Sequence, residues 1–195
     1  MKLEQIQSDL KKKLSAKRFK HSAGVADMAK HLAKKYGADP EKAYLAGWIH
    51  DCAKELSLAD MQSIIKDNGL TLDGQMMQSR ALLHGPCGSL LARSLYGVDD
   101  KDIASAIYFH TTGQPGMTLL EKIIFLADYI EPSRDFPGVD KLRKKAEKNL
   151  DEAVLAAYDS TISHLLEQEA YIYDLTFLGR NDLVLRMQAN HDENK

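Results

Sequence analysis

The sequence is poor in cysteine and has no long apolar run. Its 195 residues include only Cys52 and Cys87, and this sparse usage favours a reducing compartment over a disulfide framework. No stretch is long and apolar enough to span a bilayer, and the first residues lack the continuous apolar core of a signal peptide. We therefore expect a cytoplasmic protein with no membrane partner.

Neither sign of charge is in large excess. The formal net charge is −2 and the sequence pI is about 6.4, which argues against a general nucleic-acid-binding surface. Internal repeats, low-complexity segments and linkers are also missing from the sequence. We expect one domain over residues 1–195, with a core at about 18–181 and a flexible tail over 189–195.

Helical periodicity dominates the chain and predicts an all-α fold. Val25, Met28 and Leu32 recur at intervals of three or four residues, which marks one face of a helix. Gly37 is expected to end this helix, and Pro40 stands where the first turn of the next helix begins. Read in this way, the whole sequence contains roughly seven to nine helices.

Capping residues mark further helix boundaries. Ser57 precedes Asp60 by three positions, and Thr118 stands in the same relation to Glu121, so both pairs predict the start of a helix. Pro86 is expected to begin another helix.

The last third of the chain is also expected to be mainly helical. A helical pattern covers Leu142 to Glu169, whereas the segment YIYDLTFLGRND is rich in residues that favour strands. An isolated strand has no partner, so this segment does not change the all-α interpretation.

His21 and the pair His50-Asp51 are candidate metal ligands. His21 shares the inward helix face with Val25, and His50-Asp51 stands near the end of the following helix. Imidazole nitrogen and carboxylate oxygen are both ordinary ligands of a metal ion. The alternatives are a hydrogen-bonded core histidine at position 21 and a surface pair at 50 and 51.

Asp128 is a further candidate because it lies inside the apolar helical run IIFLADYI. A buried carboxylate is normally paired, hydrogen-bonded or bound to a metal. The alternative is a buried salt bridge to an arginine or lysine. His84, expected at a helix start, and His110, expected at a helix end, occupy similar settings, but only the fold decides whether all these side chains converge.

The order His21, His50-Asp51, Asp128 resembles the HD-domain superfamily of metal-dependent phosphohydrolases. These residues lie in the segments KRFKHSAGVADMA, AGWIHDCAKEL and IIFLADYIEPSR. The segments LLHGPCG, AIYFHTTGQPGM and FPGVDKLRKKA make the chain similar, more narrowly, to the bacterial YqeK family. That family is understood to hydrolyse diadenosine tetraphosphate symmetrically to two ADP, with iron at its metal centre.

The resemblance implies a single-domain, HD-type helical bundle that uses water activated by a metal. It implies four direct metal ligands, His21, His50, Asp51 and Asp128. It further implies that Asp51, His84 and His110 are catalytic, with His84 and His110 serving a second metal or the substrate phosphates. Iron is the expected metal, manganese or zinc would suit the same ligands, and one or two ions are expected.

A tetraphosphate also needs cations, and several lie near the candidate ligands in the sequence. The expected phosphate-binding set is Arg18, Lys54, Arg80 and Arg134. Each of them could instead be a solvated charge. The other expected substrate contacts are His21, His110, Thr111, Thr112, Tyr173 and Arg180. The segment from Tyr171 to Arg180 could form a wall for a nucleobase or simply pack on the core.

Two other functions are compatible with the same residues. The substrate could be a nucleoside monophosphate, a nucleoside triphosphate or a cyclic nucleotide, or the protein could sense a nucleotide without turnover. A homodimer is a further possibility. All the proposed ligands are present, which argues against a degenerate site that senses without turnover.

Overall fold

The chain is helical throughout the part that the structure describes. A computed structural model describes residues 1–193, which form eleven helices and no strand, so the all-α class is confirmed. The helices are α1 Leu3–Lys13, α2 Ala16–Tyr36, α3 Pro40–Ile49, α4 Leu58–Asp67, α5 Gly74–Gln78, α6 Arg80–Tyr96, α7 Lys101–Phe109, α8 Leu119–Ile130, α9 Val139–Ala146, α10 Leu150–Glu167 and α11 Asp174–Glu193. No helix within residues 1–193 is long and apolar enough to cross a membrane.

The expected caps form at both predicted positions. The Ser57 hydroxyl accepts a hydrogen bond from the Asp60 N–H at 3.1 Å at the start of α4. At the start of α8, the Thr118 hydroxyl accepts from the Glu121 N–H, and the Glu121 carboxylate accepts from the Thr118 N–H at 2.8 Å. These bonds satisfy N–H groups that the first helical turn leaves free. Gly37 ends α2 with a φ of 78°, which a residue with a side chain rarely adopts.

One large apolar core holds the helices together. It extends from Ile6 on α1 to Leu183 on α11, and α2, α3, α7 and α8 contribute most of its fully buried side chains. A smaller cluster lies between α4, α5 and α6 and includes Met61, Ile65 and Leu83. Because α3, α7 and α8 pack against one another, α2 packs on α3 and α8, and α6 packs on α7, the candidate ligands on these helices are brought to a common region. The prediction of one domain over 1–195 stays a prediction.

Two of the expected helices were wrong in their boundaries. The helix predicted to begin at Pro86 begins at Arg80, because the Ser79 hydroxyl caps it by accepting from the Leu82 N–H at 3.3 Å. Pro86 therefore lies inside α6, and His84 lies within the helix instead of at its start. The range from Leu142 to Glu169 is divided between α9 and α10, so the count of helices exceeds the seven to nine expected.

The strand-prone segment and the predicted tail are helical as well. Residues 174–182 of the segment YIYDLTFLGRND form the start of α11, since residues 1–193 offer no strand with which they could pair. Residues 189–193 of the tail belong to the end of α11. Residues 194 and 195 lie outside the described part of the chain.

Gly47 allows α2 and α3 to approach each other closely. A Cβ atom at Gly47 would lie 2.6 Å from the Ala26 Cα and 2.8 Å from the Ala26 backbone nitrogen. Contacts this short with backbone atoms cannot be relieved by a rotamer change, so the two helices would have to separate.

We expect Gly47→Ala to lower the free energy of unfolding by about 1–3 kcal/mol, because overpacking outweighs the better helix propensity of alanine. Urea unfolding of the metal-free protein measures this change. Gly74→Ala is the matched control, since a Cβ at Gly74 meets no atom within 4 Å. A Gly47→Ala protein as stable as the Gly74→Ala protein would contradict the close helix contact.

Candidate metal centre

The predicted ligands converge at one point. His21 projects from the second turn of α2, His50 and Asp51 directly follow α3, and Asp128 lies in the last turns of α8. The His21 Nε2 is 2.9 Å from the Asp128 Oδ1, and the His50 Nε2 is 3.4 Å from the Asp51 Oδ2 and 3.8 Å from the Asp128 Oδ1. The fold thus gathers four residues that are spread over more than half of the sequence.

Asp51 connects two groups of histidines. Its Oδ2 is 3.4 Å from the His50 Nε2 and 3.6 Å from the His21 Nε2. Its Oδ1 is 3.3 Å from the His84 Nε2 and 3.6 Å from the His110 Nε2. Each oxygen of one carboxylate therefore faces a different pair of imidazoles. A carboxylate in this position can bridge two ligand sets.

Backbone carbonyls fix the orientation of two histidine rings. The His50 Nδ1–H donates to the Gly47 carbonyl oxygen at 2.6 Å, and the His110 Nδ1–H donates to the Ile107 carbonyl oxygen at 2.7 Å. A carbonyl oxygen only accepts, so the proton must be on Nδ1 and each Nε2 turns a lone pair inward. This is how metal-binding histidines are commonly held.

Glu131 orients His21 and was missed in the sequence. Its Oε1 accepts from the His21 Nδ1–H at 3.0 Å and from the Ser133 hydroxyl. Its Oε2 accepts from the Ser133 N–H at 2.7 Å. A Cβ at Gly24 would lie 2.5 Å from the Glu131 Oε2, so the glycine makes room for the carboxylate. The spacing in the sequence could have identified Glu131, since it follows Asp128 by three positions and residues at this interval lie on the same face of a helix.

The residues fit a divalent metal. The His21 Nε2, the His50 Nε2 and the Asp51 Oδ1 are buried and have no hydrogen-bond partner within residues 1–193. With its proton on Nδ1, the His21 ring faces the Asp128 Oδ1 with a lone pair, and two acceptors only 2.9 Å apart repel each other unless a cation balances them. The mixed nitrogen and oxygen donors suit iron, manganese or zinc.

Three overlapping groups of side chains could each hold an ion. In every group the ligand atoms lie within 4.8 Å of one another. The groups are His21 with His50 and Asp51, His50 with His110 and Asp128, and Asp51 with His84 and His110. The last group gives the site room for more than one ion.

His84 and its neighbours form the second part of the site. The His84 Nε2 lies 2.9 Å from the His110 Nε2, 3.1 Å from the Thr111 Oγ1 and 3.1 Å from the Lys54 Nζ. Burial, followed by the charges of His110 and Lys54, lowers the pKa of His84 to about 4. The ring is therefore neutral at neutral pH, which is the form that binds metals.

Both aspartates are ionised near neutral pH. Burial opposes ionisation of Asp51, but the His50 and His110 rings beside its carboxylate hold its pKa well below the ordinary value. Burial likewise opposes ionisation of Asp128, but its electrostatic surroundings, which include the Arg134 guanidinium, hold its pKa well below the ordinary value. The centre therefore offers negatively charged oxygens beside the imidazole nitrogens.

Three of the expected phosphate-binding cations reach the centre. The Arg18 Nη1 is 2.6 Å from the Asp51 Oδ2, and the Arg134 Nη2 is 2.5 Å from the Asp128 Oδ1. Lys54 lies at the other side, against His84. Positive groups therefore flank the aspartates on two sides.

Two other expected contacts are engaged with the backbone. Arg80 donates from Nε to the Leu56 carbonyl oxygen at 2.8 Å and from Nη2 to the Lys54 carbonyl oxygen at 3.0 Å. These bonds support the turn that follows Asp51. The buried Thr112 hydroxyl donates to the Gly113 carbonyl oxygen at 2.9 Å.

The predicted contacts from the C-terminal segment also have partners within the protein. The Tyr173 hydroxyl donates to the Asp73 carboxylate. The Arg180 Nε donates to the Asp159 Oδ1 at 2.8 Å. Substrate binding by Arg80, Thr112, Tyr173 and Arg180 stays a prediction.

Residues 18–133 match the model of the HD domain family. This chain belongs to the HD domain family. The matched range includes His21, His50, Asp51 and Asp128, so the family's dependence on a divalent metal agrees with the ligands that the structure brings together.

Similar proteins place this HD domain more narrowly. The chain is 44% identical to a symmetrical bis(5'-nucleosyl)-tetraphosphatase of Halalkalibacterium halodurans over 92% of this chain and 95% of that protein. It is 40% identical to the protein of the same name from Bacillus subtilis over 94% of this chain and 98% of the relative. The recognition of the HD superfamily and the YqeK family from the sequence is confirmed.

A solved structure shares the fold. It is described as a predicted HD superfamily hydrolase involved in NAD metabolism from Clostridium acetobutylicum. The TM-score is 0.93 at 44% identity, over 95% of this chain and 98% of the other. The HD-type arrangement of the helices is therefore confirmed.

We expect Asp51→Asn to weaken metal binding by about tenfold or more, because an amide cannot offer both oxygens to the two histidine groups. Elemental analysis of the purified protein, followed by titration with manganese, measures this loss. Asp27→Asn is the matched control, since Asp27 is exposed on α2, the helix that carries His21. Equal metal content in both variants would contradict the role of Asp51.

We expect the metal-free protein to lose stability between pH 6.5 and pH 4 because of His84. The folded state keeps this ring neutral, with a pKa of about 4 in place of the ordinary 6.5, so protons bind preferentially to the unfolded chain within this window. The contribution amounts to about 3 kcal/mol at about 1.4 kcal/mol per pKa unit. Urea unfolding across this range should show a smaller loss in His84→Gln, and identical slopes would contradict the neutral ring.

Proposed function

We propose that the protein is a metal-dependent hydrolase that cleaves diadenosine tetraphosphate symmetrically to two ADP. The observation that carries the proposal is the Asp51 carboxylate, whose two oxygens face two separate groups of histidines. The names of the relatives from H. halodurans and B. subtilis support the same substrate.

His21, His50, Asp51 and Asp128 would hold one metal ion, and Asp51, His84 and His110 would hold a second. When bound, a divalent metal lowers the pKa of water and offsets charge on a phosphoryl oxygen. Iron is the proposed metal because the chain resembles the YqeK family, and manganese or zinc would suit the same donors.

The protein's own cations would bind and orient the phosphates. Arg18 and Arg134 approach one side of the aspartates, and Lys54 approaches the other side next to His84. Guanidinium groups donate paired hydrogen bonds to phosphate oxygens, and an ammonium supplies a point charge. Cations on both sides of the centre favour a substrate whose phosphate chain continues in both directions, as it does in a dinucleoside tetraphosphate.

The reaction consumes one water. Its oxygen bonds to one of the two central phosphorus atoms, and the bond from that phosphorus to the oxygen bridging the two central phosphates breaks. The bridging oxygen leaves with the other half, so each half is released as ADP. Asp51 lies at the centre of both histidine groups, where its carboxylate can accept a hydrogen bond from the water and orient it. The catalytic roles of Asp51, His84 and His110 stay predictions.

A nucleotide is thus the proposed small-molecule partner. The homodimer, the lack of a nucleic-acid partner and the cytoplasmic location stay predictions. NAD metabolism, the context printed for the C. acetobutylicum structure, concerns that protein and makes other nucleotides useful comparison substrates.

We expect the iron- or manganese-loaded protein to convert diadenosine tetraphosphate to ADP alone, and Asp51→Asn to lower the rate at least about a hundredfold. Chromatography of the products measures both, and Asp27→Asn should keep the full rate. Formation of AMP together with ATP would contradict symmetrical cleavage.

The same assay tests the rival functions. Faster turnover of a nucleoside monophosphate, a nucleoside triphosphate or a cyclic nucleotide would replace the proposed substrate. Tight binding of diadenosine tetraphosphate with equal residual turnover in the loaded protein and in Asp51→Asn would instead favour a nucleotide sensor.

A further inference from the structure

A cavity lies beside the metal centre. It is formed between the end of α8 and the last turns of α10 and has a volume of about 520 Å³, which is within the range of small-molecule sites. We name it the Tyr129 groove. Its lining includes Tyr129, Phe136, Ser160, Ser163 and His164, together with Arg134 and Glu167, which carry opposite charges.

A smaller cavity lies next to this groove and is lined by one candidate metal ligand, His21. It has a volume of about 280 Å³, and we name it the cationic cleft. Its lining has three cations and two carboxylates, which are Lys17, Arg18, Arg134, Glu131 and Asp135, together with His21, Ser133 and Phe136. The groove and the cleft share Arg134 and Phe136, so they are adjacent at these two side chains.

The cleft opens at the more exposed side of the centre. The Asp128 side chain is 21% exposed, whereas the Asp51 side chain is 2% exposed. Arg134 reaches Asp128 from this open side, with its Nη2 2.5 Å from the Asp128 Oδ1. A ligand that approaches the centre from this side therefore passes Arg134 and can extend into the Tyr129 groove.

The groove combines aromatic walls with free polar groups. The rings of Tyr129 and Phe136 lie 5.1 Å apart at 66°, and the Tyr129 hydroxyl donates to the Ser160 Oγ at 2.8 Å. Ser163 and His164 are exposed at its edge, and in residues 1–193 their side chains have no hydrogen bond or ion pair. A nucleoside presents an apolar base face together with ribose hydroxyls and ring nitrogens, which match these two kinds of surface.

Arg143 on α9 holds the loop that forms one wall. Its Nε donates to the Ile130 carbonyl oxygen at 2.9 Å, and its Nη2 donates to the carbonyl oxygens of Glu131 and Arg134 at 2.9 and 2.8 Å. Three backbone carbonyls are thus fixed by one side chain. A wall that is already ordered reduces the conformational entropy that the protein loses when a ligand binds.

We propose that the Tyr129 groove binds the nucleoside of one half of the substrate, while the phosphates of that half lie in the cationic cleft. This inference rests on the proposed function, because it takes the ligand to be a nucleoside polyphosphate. The segment that contains Tyr173 and Arg180 is a weaker candidate for this nucleoside, since the polar groups of both side chains already bind Asp73 and Asp159.

Binding of ADP and of pyrophosphate to the manganese-loaded protein separates the nucleoside from the phosphates. Ser163→Leu fills the groove without adding charge, and it should weaken ADP binding about tenfold while pyrophosphate binding changes less than about twofold. Ser94→Leu makes the same change at an exposed position of α6 and should leave both affinities unchanged. Isothermal titration calorimetry measures the four affinities.

Phe136→Ala provides a second variant that removes a wall instead of filling the space. It too should weaken ADP binding selectively, and both groove variants should raise the KM for diadenosine tetraphosphate while kcat stays within about threefold of wild type. Unchanged ADP affinity in both variants would overturn the proposal, and so would an equal loss of ADP and pyrophosphate binding.

The two proposals fail in different ways. If the wild-type protein does not form ADP from diadenosine tetraphosphate, the proposed function is wrong, yet a selective loss of ADP binding in Ser163→Leu would still establish a nucleoside site. If ADP is formed as expected and the groove variants bind it normally, only the groove assignment is wrong.

Discussion

Buried acceptor atoms that face one another impose the main constraint on this fold. Imidazole nitrogens and carboxylate oxygens meet around Asp51, and several of them have no hydrogen-bond partner in residues 1–193. Apolar packing alone does not stabilise such a cluster, because desolvated lone pairs repel each other. Positive charge must balance them. Arg18 and Arg134 supply part of it, and the donor set suits a divalent metal for the rest.

The ends of α3 and α7 orient a histidine ring in the same way. His50 and His110 are each the residue directly after a helix, and each ring donates to the carbonyl oxygen three positions earlier. The last carbonyls of a helix have no partner within the helix, so the bond stabilises the helix end. It also turns Nε2 toward the centre. The same hydrogen bond therefore stabilises the end of the helix and orients the candidate ligand.

Local signals in the sequence predicted the helices and the identities of the ligands. Ser57 and Thr118 predicted helix starts because a cap depends on residues three positions apart. His21 and Asp128 stood out because they lie on apolar helical faces. The contact between their side chains depends on how α2 packs against α8, which no local pattern contains. Pro86 misled the interpretation because the stronger cap at Ser79 set the helix start.

The turn after α8 connects the candidate metal centre to the Tyr129 groove. Asp128 and Glu131 contact His21 from two directions, one at each ring nitrogen. Pro132 cannot continue the helix, and the chain turns so that the Arg134 Nε donates to the Asp128 carbonyl oxygen at 2.8 Å. A segment of seven residues therefore supplies a candidate ligand, the carboxylate that orients another candidate ligand, and a cation beside both. Because that cation also lines the Tyr129 groove, the position of the groove relative to the metal ligands is set by the same turn.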